Sequence, residues 1–333
     1  MAHALEFFGK EAGMAFAGET PWHGLGQQVD PNASLEEWRK QAHLDWCINR
    51  SPVKYEVPTG TSSFVNGEFQ LDKTIKSKVD DDVLWRSDNG SALSVVSSKY
   101  KIVQPDEMVG FYKDLVGAAG FQMETLGSLD GGRKIWALAK TNSEFEVVAG
   151  DKVKGYLLLV TSCDGSLATT GMFTSVRVVC NNTLQLSLRK AENAVKVRHN
   201  TVFKPNAMKE ELGIQSEVAF KAHIEDMRIL AEQKMSAAKA EAFLAAMFKT
   251  AAEHGDITKT RGYQKVLGLF NGAGKGAKME GVFGTKWGML NAITEYVDFE
   301  IRAKNVETRF SSGQFGAGAN IKRQAVELLT MVD

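Results

Sequence analysis

The amino-acid sequence predicts an α+β fold: a strand-rich N-terminal and central part, with a β-hairpin feeding a helix, followed by a helical C-terminal part. Two patterns predict this class. Short β-like runs separated by turn residues dominate from Asp45 to Val179, and after Asn181 the apolar residues recur at helical spacing as far as the C-terminus. Alternating strand–helix–strand units are not evident, so a doubly wound nucleotide-binding sheet is not expected.

The first elements are a docked loop, a helix and a hairpin. Proline and glycines within residues 18–26 exclude a regular helix there, and Trp22 is the apolar anchor expected to hold this loop on the body. The capping-box pattern Ser34–Glu37 predicts a helix that continues to about residue 43. Asn66-Gly67 is a strong turn dipeptide and predicts a hairpin between two β-like runs.

The central hairpin and the C-terminal helices follow from composition and periodicity. The apolar run 155–161 and the return strand 172–179 flank turn residues at 163–166, and the cap-forming residues Asn181–Leu184 are expected to start a helix directly afterwards. Further elements are predicted over 105–119 (helix), 121–126 and 134–140 (strands), and 207–233, 236–252, 259–270, 285–303 and 319–331 (helices).

Composition and charge exclude several classes of protein. The 333 residues are 44% hydrophobic and 24% charged, as in ordinary globular proteins, and 40 basic residues balance 40 acidic ones. No apolar run approaches the ~18 residues of a membrane span, and no secretory signal is recognisable. The scattered Cys47, Cys163 and Cys180 imply no disulfide framework. We expect a cytoplasmic protein without cofactors, with an α+β core domain over 1–205 and a helical region over 206–333.

The glycine-rich segment 272–278 superficially resembles a phosphate-binding loop. A Walker-type loop needs a glycine five residues before its Gly-Lys pair and a Ser or Thr after it, but Leu269 and Gly276 occupy those positions. We therefore interpret the segment as a mobile surface loop whose Lys275 and Lys278 contact a phosphate backbone.

Motifs of hydrolases and metalloproteases are not present in the sequence. The acidic run 80–82 is interpreted as a solvated turn rather than a metal site. His43 and Cys47 are interpreted as a helix-end histidine and a buried thiol, because no second pair completes a zinc site. His23 is either a catalytic base or, more commonly for a lone histidine, a structural hydrogen-bonding group.

The strongest functional signal is basic. Arg177 lies within the predicted return strand and must reach solvent, an acidic partner or an anion. Residues 187–209 hold six basic residues and one acidic residue, a local charge of +5. Interleaved polar and aromatic residues suit a nucleic-acid groove, and a solvated basic surface fits the charge count equally well. The expected nucleic-acid-binding residues are Arg177, Arg189, Lys190, Lys196, Arg198, His199, Phe203 (as a stacking platform), Lys204, Lys275 and Lys278.

Six motifs, in order along the chain, carry a family resemblance: TPWHGLG at 20–26, VRVVCNNTL at 176–184, VRHN at 197–200, GTKW at 284–287, NAITEYVD at 291–298 and FGAGANIK at 315–322. In them the chain resembles the phage/plasmid-like protein family, domain of unknown function 932, except that Asn200 stands where the family pattern has Thr. The resemblance implies a mobile-element origin and brings no established reaction. More loosely, the hairpin with its embedded arginine resembles the core of Red-beta/RecT-type single-strand annealing proteins, which hold DNA in the basic groove of a ring or filament.

Together these observations predict a phage- or plasmid-encoded protein that binds and anneals single-stranded DNA during recombination, as a homo-oligomer (ring or filament) in the cytoplasm of a bacterial host. Annealing needs a groove that neutralises one strand's phosphates, and neither a catalytic carboxylate nor a metal. The expected partner protein is a phage exonuclease or a host single-strand-binding protein. Two alternatives stay open: a metal-dependent nuclease or other hydrolase using Asp164, His199 and His23, and an anti-defence protein that acts on the host through protein contacts alone.

Overall fold

The computed structural model describes residues 5–18, 25–66, 68–118, 121–177, 182–185, 194–249, 256–304, 308–309, 312–313 and 316–331. Within these ranges the strands are β1 (Phe7–Phe8), β2 (Glu11–Ala12), β3 (Met14–Phe16), β4 (Gln27–Gln28), β5 (Ile48–Val65), β6 (Glu68–Arg86), β7 (Ala92–Ser97), β8 (Gln122–Leu129), β9 (Lys134–Val148), β10 (Asp151–Ser162), β11 (Thr169–Arg177), β12 (Asn182–Gln185) and β13 (Ala194–Val197). The α-helices are α1 (Leu35–Gln41), α2 (Pro105–Gly110), α3 (Lys113–Ala118), α4 (Pro205–Glu232), α5 (Ala237–Met247), α6 (Arg261–Gly268), α7 (Lys286–Glu295) and α8 (Ala317–Met331).

The main sheet has the strand order β12-β11-β10-β9-β8-β3-β4 and is antiparallel except for the β3–β4 pair. It contains the predicted hairpin of β10 and β11, in which Leu157 faces Phe173 and Val160 faces Thr170. Every residue from 155 to 162 is buried, as the apolar run predicts. The strand-rich part followed by helices confirms the α+β class.

The helix predicted at 181–184 is wrong for its described residues. Asn182–Gln185 form β12, in which Thr183 faces Val176 and Asn182 faces Arg177 across the edge of β11. Pairing with this edge satisfies backbone groups that a helix would otherwise bond internally, and a β-branched threonine suits a strand. The other strand on the same edge is β13, paired with residues 169–172.

Helices cover one face of the main sheet. Gly171 of β11 allows α4 to approach closely, because a Cβ at this position would lie 2.9 Å from both Leu212 Cδ1 and Met208 Sδ. Beside α2, the fully buried hydroxyl of Tyr112 lies 2.8 Å from the carbonyl oxygen of Ala137. One hydrophobic cluster extends from this sheet into the C-terminal helices, so residues on both sides of position 205 share a core.

A second, three-stranded sheet has the order β5-β6-β7. β7 pairs only with residues 81–85 of β6, whereas β5 and β6 continue as a two-stranded ribbon from the Lys54–Ser77 pair to the Val65–Glu68 pair. The predicted turn begins at Asn66, whose φ of 51° is left-handed, and Gly67 lies outside the described residues. The β-like runs expected here are therefore parts of two long strands.

The C-terminal helices confirm the prediction from periodicity, with each observed helix falling within 2 residues of its predicted start. α7 is buried along its whole length. Buried polar side chains in α7 and just after it form hydrogen bonds and an ion pair. The indole nitrogen of Trp287 donates to Asp151 Oδ2 at 2.8 Å, and Lys322 of α8 forms a buried ion pair with Asp298 at 2.5 Å. The predicted helix over 105–119 is divided into α2 and α3 by the buried Phe111 and Tyr112. Among the described helices, none is long and apolar enough to cross a bilayer.

Candidate nucleic-acid interface

The described part of the basic segment runs along the edge of the main sheet. β13 alternates between a buried Val195 and an exposed Lys196, because one face of the strand packs on the core and the other meets water. The chain then leaves the sheet at the exposed Arg198, turns at residues 199–201, and enters α4 after the exposed Lys204. Of the other predicted residues, Arg189 and Lys190 lie outside the described residues, and Arg177 is described only as a position on β11.

His199 holds three segments together. Its Nδ1 lies 3.0 Å from the carbonyl oxygen of Lys101 and its Nε2 lies 3.0 Å from that of Leu167. Its ring stacks on Tyr100 with a centroid distance of 4.5 Å and an interplanar angle of 12°. A neutral imidazole has one N–H and can donate to one of the two carbonyls, whereas the imidazolium donates to both. His199 therefore positions this surface rather than presenting a free ring nitrogen.

Tyr100 extends this support inward. Its hydroxyl donates to the carbonyl oxygen of Ser162 at 2.8 Å, and burial raises the pKa of the phenol. Arg50 of β5 reaches the same segment from the other side, donating to the carbonyl oxygens of Ser98 at 2.9 Å and Tyr100 at 2.5 Å. The backbone between β7 and α2 is thus fixed on both sides.

A surface cavity of about 260 Å³ lies at this junction. Its lining residues are Ser97, Lys99, Tyr100, Gly165, Ala168, Arg198, His199 and Asn200. Lys99 and Arg198 are exposed, and within the described ranges neither takes part in an ion pair. The volume is below the ~300–1,000 Å³ typical of sites for drug-sized molecules, so the cavity suits a small anion or a phosphate group.

Sequence reasoning missed Lys99 and Tyr100. They lie about a hundred residues before the basic segment and reach it because β7 ends beside the turn between β10 and β11. The one available signal was the Ser-Ser-Lys-Tyr-Lys run at 97–101, two lysines and an aromatic residue directly after an apolar strand.

Phe203 is buried and is not a stacking platform, so that expectation is wrong. It is 6% exposed, and its ring centroid lies 6.4 Å from that of Phe111 within the main hydrophobic cluster. An aromatic residue between two basic ones can face either way, and here the approach of α4 to the sheet places it in the core.

Lys275 and Lys278 lie at a different end of the sheet from the basic segment. Met279 is next to Gly150, at the start of β10, whereas β13 lies beside the other end of β10, about 30 Å away at ~3.3 Å per residue. The glycine-rich segment is also anchored, because the backbone N–H of Lys275 donates to Glu295 Oε2 at 3.0 Å. Lys275 and Lys278 are not among the residues that line the cavity, so the structure does not bring them together with the basic segment.

The residues of the nuclease alternative have structural hydrogen bonds. Asp164 Oδ1 accepts from the backbone N–H of Ser166 at 2.9 Å. Partial burial acts to raise the pKa of Asp164, but hydrogen bonds from Ser166 and Ser162 outweigh it and the pKa is lowered. His199 is placed as above, and His23 lies outside the described residues. Within the described ranges, no group of three or more His, Cys, Asp or Glu residues is arranged to hold a metal ion.

The remaining candidates from the sequence are accounted for by local contacts. His43 stacks on Phe8 at 4.2 Å and its Nε2 lies 3.0 Å from Glu11 Oε2. Cys47 is exposed, so the expectation of a buried thiol there is wrong; the buried thiol is Cys163, whose pKa burial raises to about 12. The acidic run 80–82 is part of β6 rather than a solvated turn, with Asp81 paired to Lys78 and Asp82 to Arg50. Cys180 and residues 19–24, which include Trp22, lie outside the described residues.

Comparison with known proteins identifies a family but no characterised relative. No curated protein and no solved structure matches the chain. The model of one protein family, described as "Domain of unknown function (DUF932)", matches residues 92–313, which include the main sheet from β8 onward, the cavity and most of the C-terminal helices. Because this match covers more than half of the sequence, the chain belongs to the DUF932 family.

Proposed function

We propose that this chain binds the phosphate backbone of single-stranded DNA at the cavity beside β13 and anneals complementary strands, as a protein encoded by a phage or plasmid. The observation that carries the proposal is the pairing of two exposed cations, Lys99 and Arg198, in one small cavity without an acidic partner among the described residues. The mobile-element origin is supported by the six motifs in which the sequence resembles phage and plasmid proteins.

Charge and hydrogen bonding favour a phosphodiester at this site. Two like charges in one cavity repel each other, and an anion bound between them removes that repulsion. The guanidinium of Arg198 suits phosphate oxygens, while Ser97 and Asn200 add neutral hydrogen-bonding groups at the same cavity.

The surroundings offer a path for more than one phosphate. Lys196 and Arg198 are two residues apart on an extended segment, about 7 Å at ~3.3 Å per residue, so they can meet neighbouring phosphates of a strand that runs along the edge. Lys204 is exposed at the start of α4, beyond the turn that holds His199. The base edges of a strand held by its phosphates stay available for pairing, which annealing requires.

The binding test is fluorescence anisotropy with a labelled oligothymidylate over a range of salt concentrations. We expect K99A and R198A each to weaken binding about tenfold, and each to reduce the magnitude of the log–log salt slope by about 0.7, one phosphate contact of single-stranded DNA. Matched controls are K259A and R302A, which remove exposed charges from the helical half of the chain and should leave both values unchanged. Binding that is independent of salt, or equal losses in all four variants, would contradict the proposal.

A second assay separates annealing from the alternatives. Wild-type protein should accelerate pairing of two complementary oligonucleotides without magnesium, and R198A should lose this acceleration together with binding. Cleavage of the oligonucleotide that needs magnesium and disappears in D164A would instead assign the cavity to a nuclease. Absence of any oligonucleotide binding, with a host protein co-purifying, would favour the anti-defence alternative.

A further inference from the structure

The ribbon formed by β5 and β6 between residues 53 and 80, which we call the arm, has no buried side chain among its described residues. β7 supports β6 only at residues 81–85, so the arm extends beyond that support. The paired part spans 12 residues of β5 and about 40 Å at ~3.3 Å per residue. A two-stranded ribbon of this kind is only marginally stable by itself in water.

The two faces of the arm differ sharply in chemistry. Residues opposite each other in an antiparallel pair share a face, so Phe64 with Phe69, Leu71 opposite Ser62, and Ile75 opposite Glu56 lie on one side. On the other side, Asp72 accepts hydrogen bonds from the hydroxyls of Ser63 at 2.5 Å and Thr61 at 2.7 Å. The second face thus pairs polar groups with one another, whereas the first exposes four large apolar side chains to water.

The apolar face is large enough for an interface. Phe64 is 64% exposed, Phe69 79%, Leu71 62% and Ile75 68%. With 150–250 Å² for an aromatic side chain and somewhat less for an aliphatic one, these four residues leave about 500 Å² of apolar surface in water. This area is near the upper end of the range for the largest apolar patch on a monomeric protein. Together with the polar residues around it, the face approaches the ~800 Å² that each partner contributes to a standard interface.

Charge decides what this face is suited to bind. Residues 53–80 hold four lysines and four acidic residues, so the arm has no net attraction for an anionic membrane or a nucleic acid. The apolar face itself has both signs, with Lys73 Nζ at 2.7 Å from Glu56 Oε2. A copy of the same face, turned by a two-fold axis, can therefore set opposite charges against each other while the apolar residues pack.

The described residues outside the arm offer no better match. The other large apolar side chains that are exposed in the described residues are Phe7, Tyr55, Val79, Val95, Val202, Phe283 and Met331. Tyr55 and Val79 belong to the arm, where Tyr55 lies on the polar face and Val79 lies in the irregular base. The others come from separate elements. A second stripe that could receive the arm is not present among them.

We propose that the apolar face of the arm packs against the same face of a second copy of this chain, forming a two-fold dimer in which the two ribbons lie face to face about 10 Å apart. The dimer is one form of the self-association expected from the sequence, and it does not depend on nucleic-acid binding.

The test is sedimentation velocity of the full chain, free of nucleic acid, over a wide range of protein concentration. Wild type is expected to show a concentration-dependent monomer–dimer equilibrium. L71D/I75D should raise the dimer dissociation constant at least ~100-fold, because two apolar side chains are replaced by charges in a packed face. The matched control Q70D/T74D adds the same charges to the same strand on the polar face and should leave the constant within a few-fold of wild type.

Hydrogen exchange of the wild-type protein keeps the proposal falsifiable if L71D/I75D fails to fold. Residues 64–75 should gain protection only at concentrations at which the dimer forms. A protein that is monomeric at all concentrations, or a dimer equally weakened by L71D/I75D and Q70D/T74D, would overturn the proposal. Binding of the wild-type monomer to anionic phospholipid vesicles, lost in L71D/I75D, would overturn it in favour of a lipid surface.

Failure of this inference is distinguishable from failure of the proposed function. An R198A protein that dimerises but binds the oligonucleotide about tenfold more weakly would support both assignments, as would an L71D/I75D monomer that still binds a short oligonucleotide in a salt-dependent way. A wild-type protein that stays monomeric but binds the oligonucleotide in a salt-dependent way would contradict only the proposed dimer.

Discussion

Replacement of His223 by glutamine should make the stability of the protein less sensitive to acid. His223 lies in α4, is 2% exposed, and its Nε2 is 3.0 Å from the hydroxyl oxygen of Ser175. Burial lowers the pKa of this imidazole from 6.5 to about 3, because the charged form loses its hydration inside the core. Glutamine keeps a polar group of similar length that can bond to Ser175 and does not titrate in this range.

The sign and size of the effect follow from proton linkage. In the unfolded chain His223 takes up a proton near its ordinary pKa, whereas in the folded protein it stays neutral until about pH 3. The unfolded state therefore binds more protons between these values, and the free energy of unfolding falls as the pH is lowered, by about 1.4 kcal/mol per pH unit. Acidification from about pH 6.5, where the unfolded imidazole is half protonated, to about pH 4.5 should cost about 2 kcal/mol from this residue alone.

The assay is urea unfolding followed by tryptophan fluorescence at several pH values for wild type, H223Q and the control H43Q. His43 is partly exposed, so H43Q shows what replacing a histidine outside the core does to the same curves. H223Q should have lower stability than wild type at neutral pH and a shallower loss on acidification, so that the two curves converge. Parallel curves for wild type and H223Q would refute the reasoning, since they would mean that His223 takes up its proton equally in both states.

Three further predictions concern the core. G288A should destabilise the protein by about 1–3 kcal/mol in urea unfolding, because the added Cβ would lie 2.4 Å from a backbone oxygen, whereas G268A, with open space around its Cβ, should stabilise it by up to about 1 kcal/mol. F203A should cost about 3–5 kcal/mol in the same assay because it empties a core position, and F203L, measured in parallel, should leave oligonucleotide affinity unchanged because the buried ring cannot stack on a base. K322M should cost about 3–5 kcal/mol by leaving Asp298 without its buried ammonium partner, and thermal melting should show most of this recovered in K322M/D298L.

The parts of the fold that sequence predicts well are those set by local chemistry. The C-terminal helices follow from apolar spacing and from caps such as Ser236, which accepts from the backbone N–H of Lys239. The helix starting after Ser34 has the same kind of cap, with Ser34 accepting from Glu37. Asn182 and Thr183 were misread for the same reason: both are good cap residues, and only the nearby edge of β11, a long-range feature, makes them a strand.

The candidate site was predicted only in part, because a sequence shows which residues are charged but not which of them lie close together in the fold. Lys196 and Arg198 were found from the local excess of basic residues, and the structure places Arg198 at the cavity. Lys99 enters the same cavity from another strand, so only the fold reveals it. Lys275 shares the charge but lies near the far end of β10, since a count of basic residues says nothing about which end of a sheet each one occupies.

Arg50 contacts both the base of the arm and the segment that lines the cavity. Its guanidinium pairs with Asp82 at the base of the arm and also holds the carbonyl oxygens of Ser98 and Tyr100, while Tyr100 stacks on His199. Arg50 therefore links the base of the arm to the segment that lines the cavity. Substitutions of Arg50 are expected to affect both features, whereas substitutions on the apolar face of the arm, or at Arg198, are expected to affect only one.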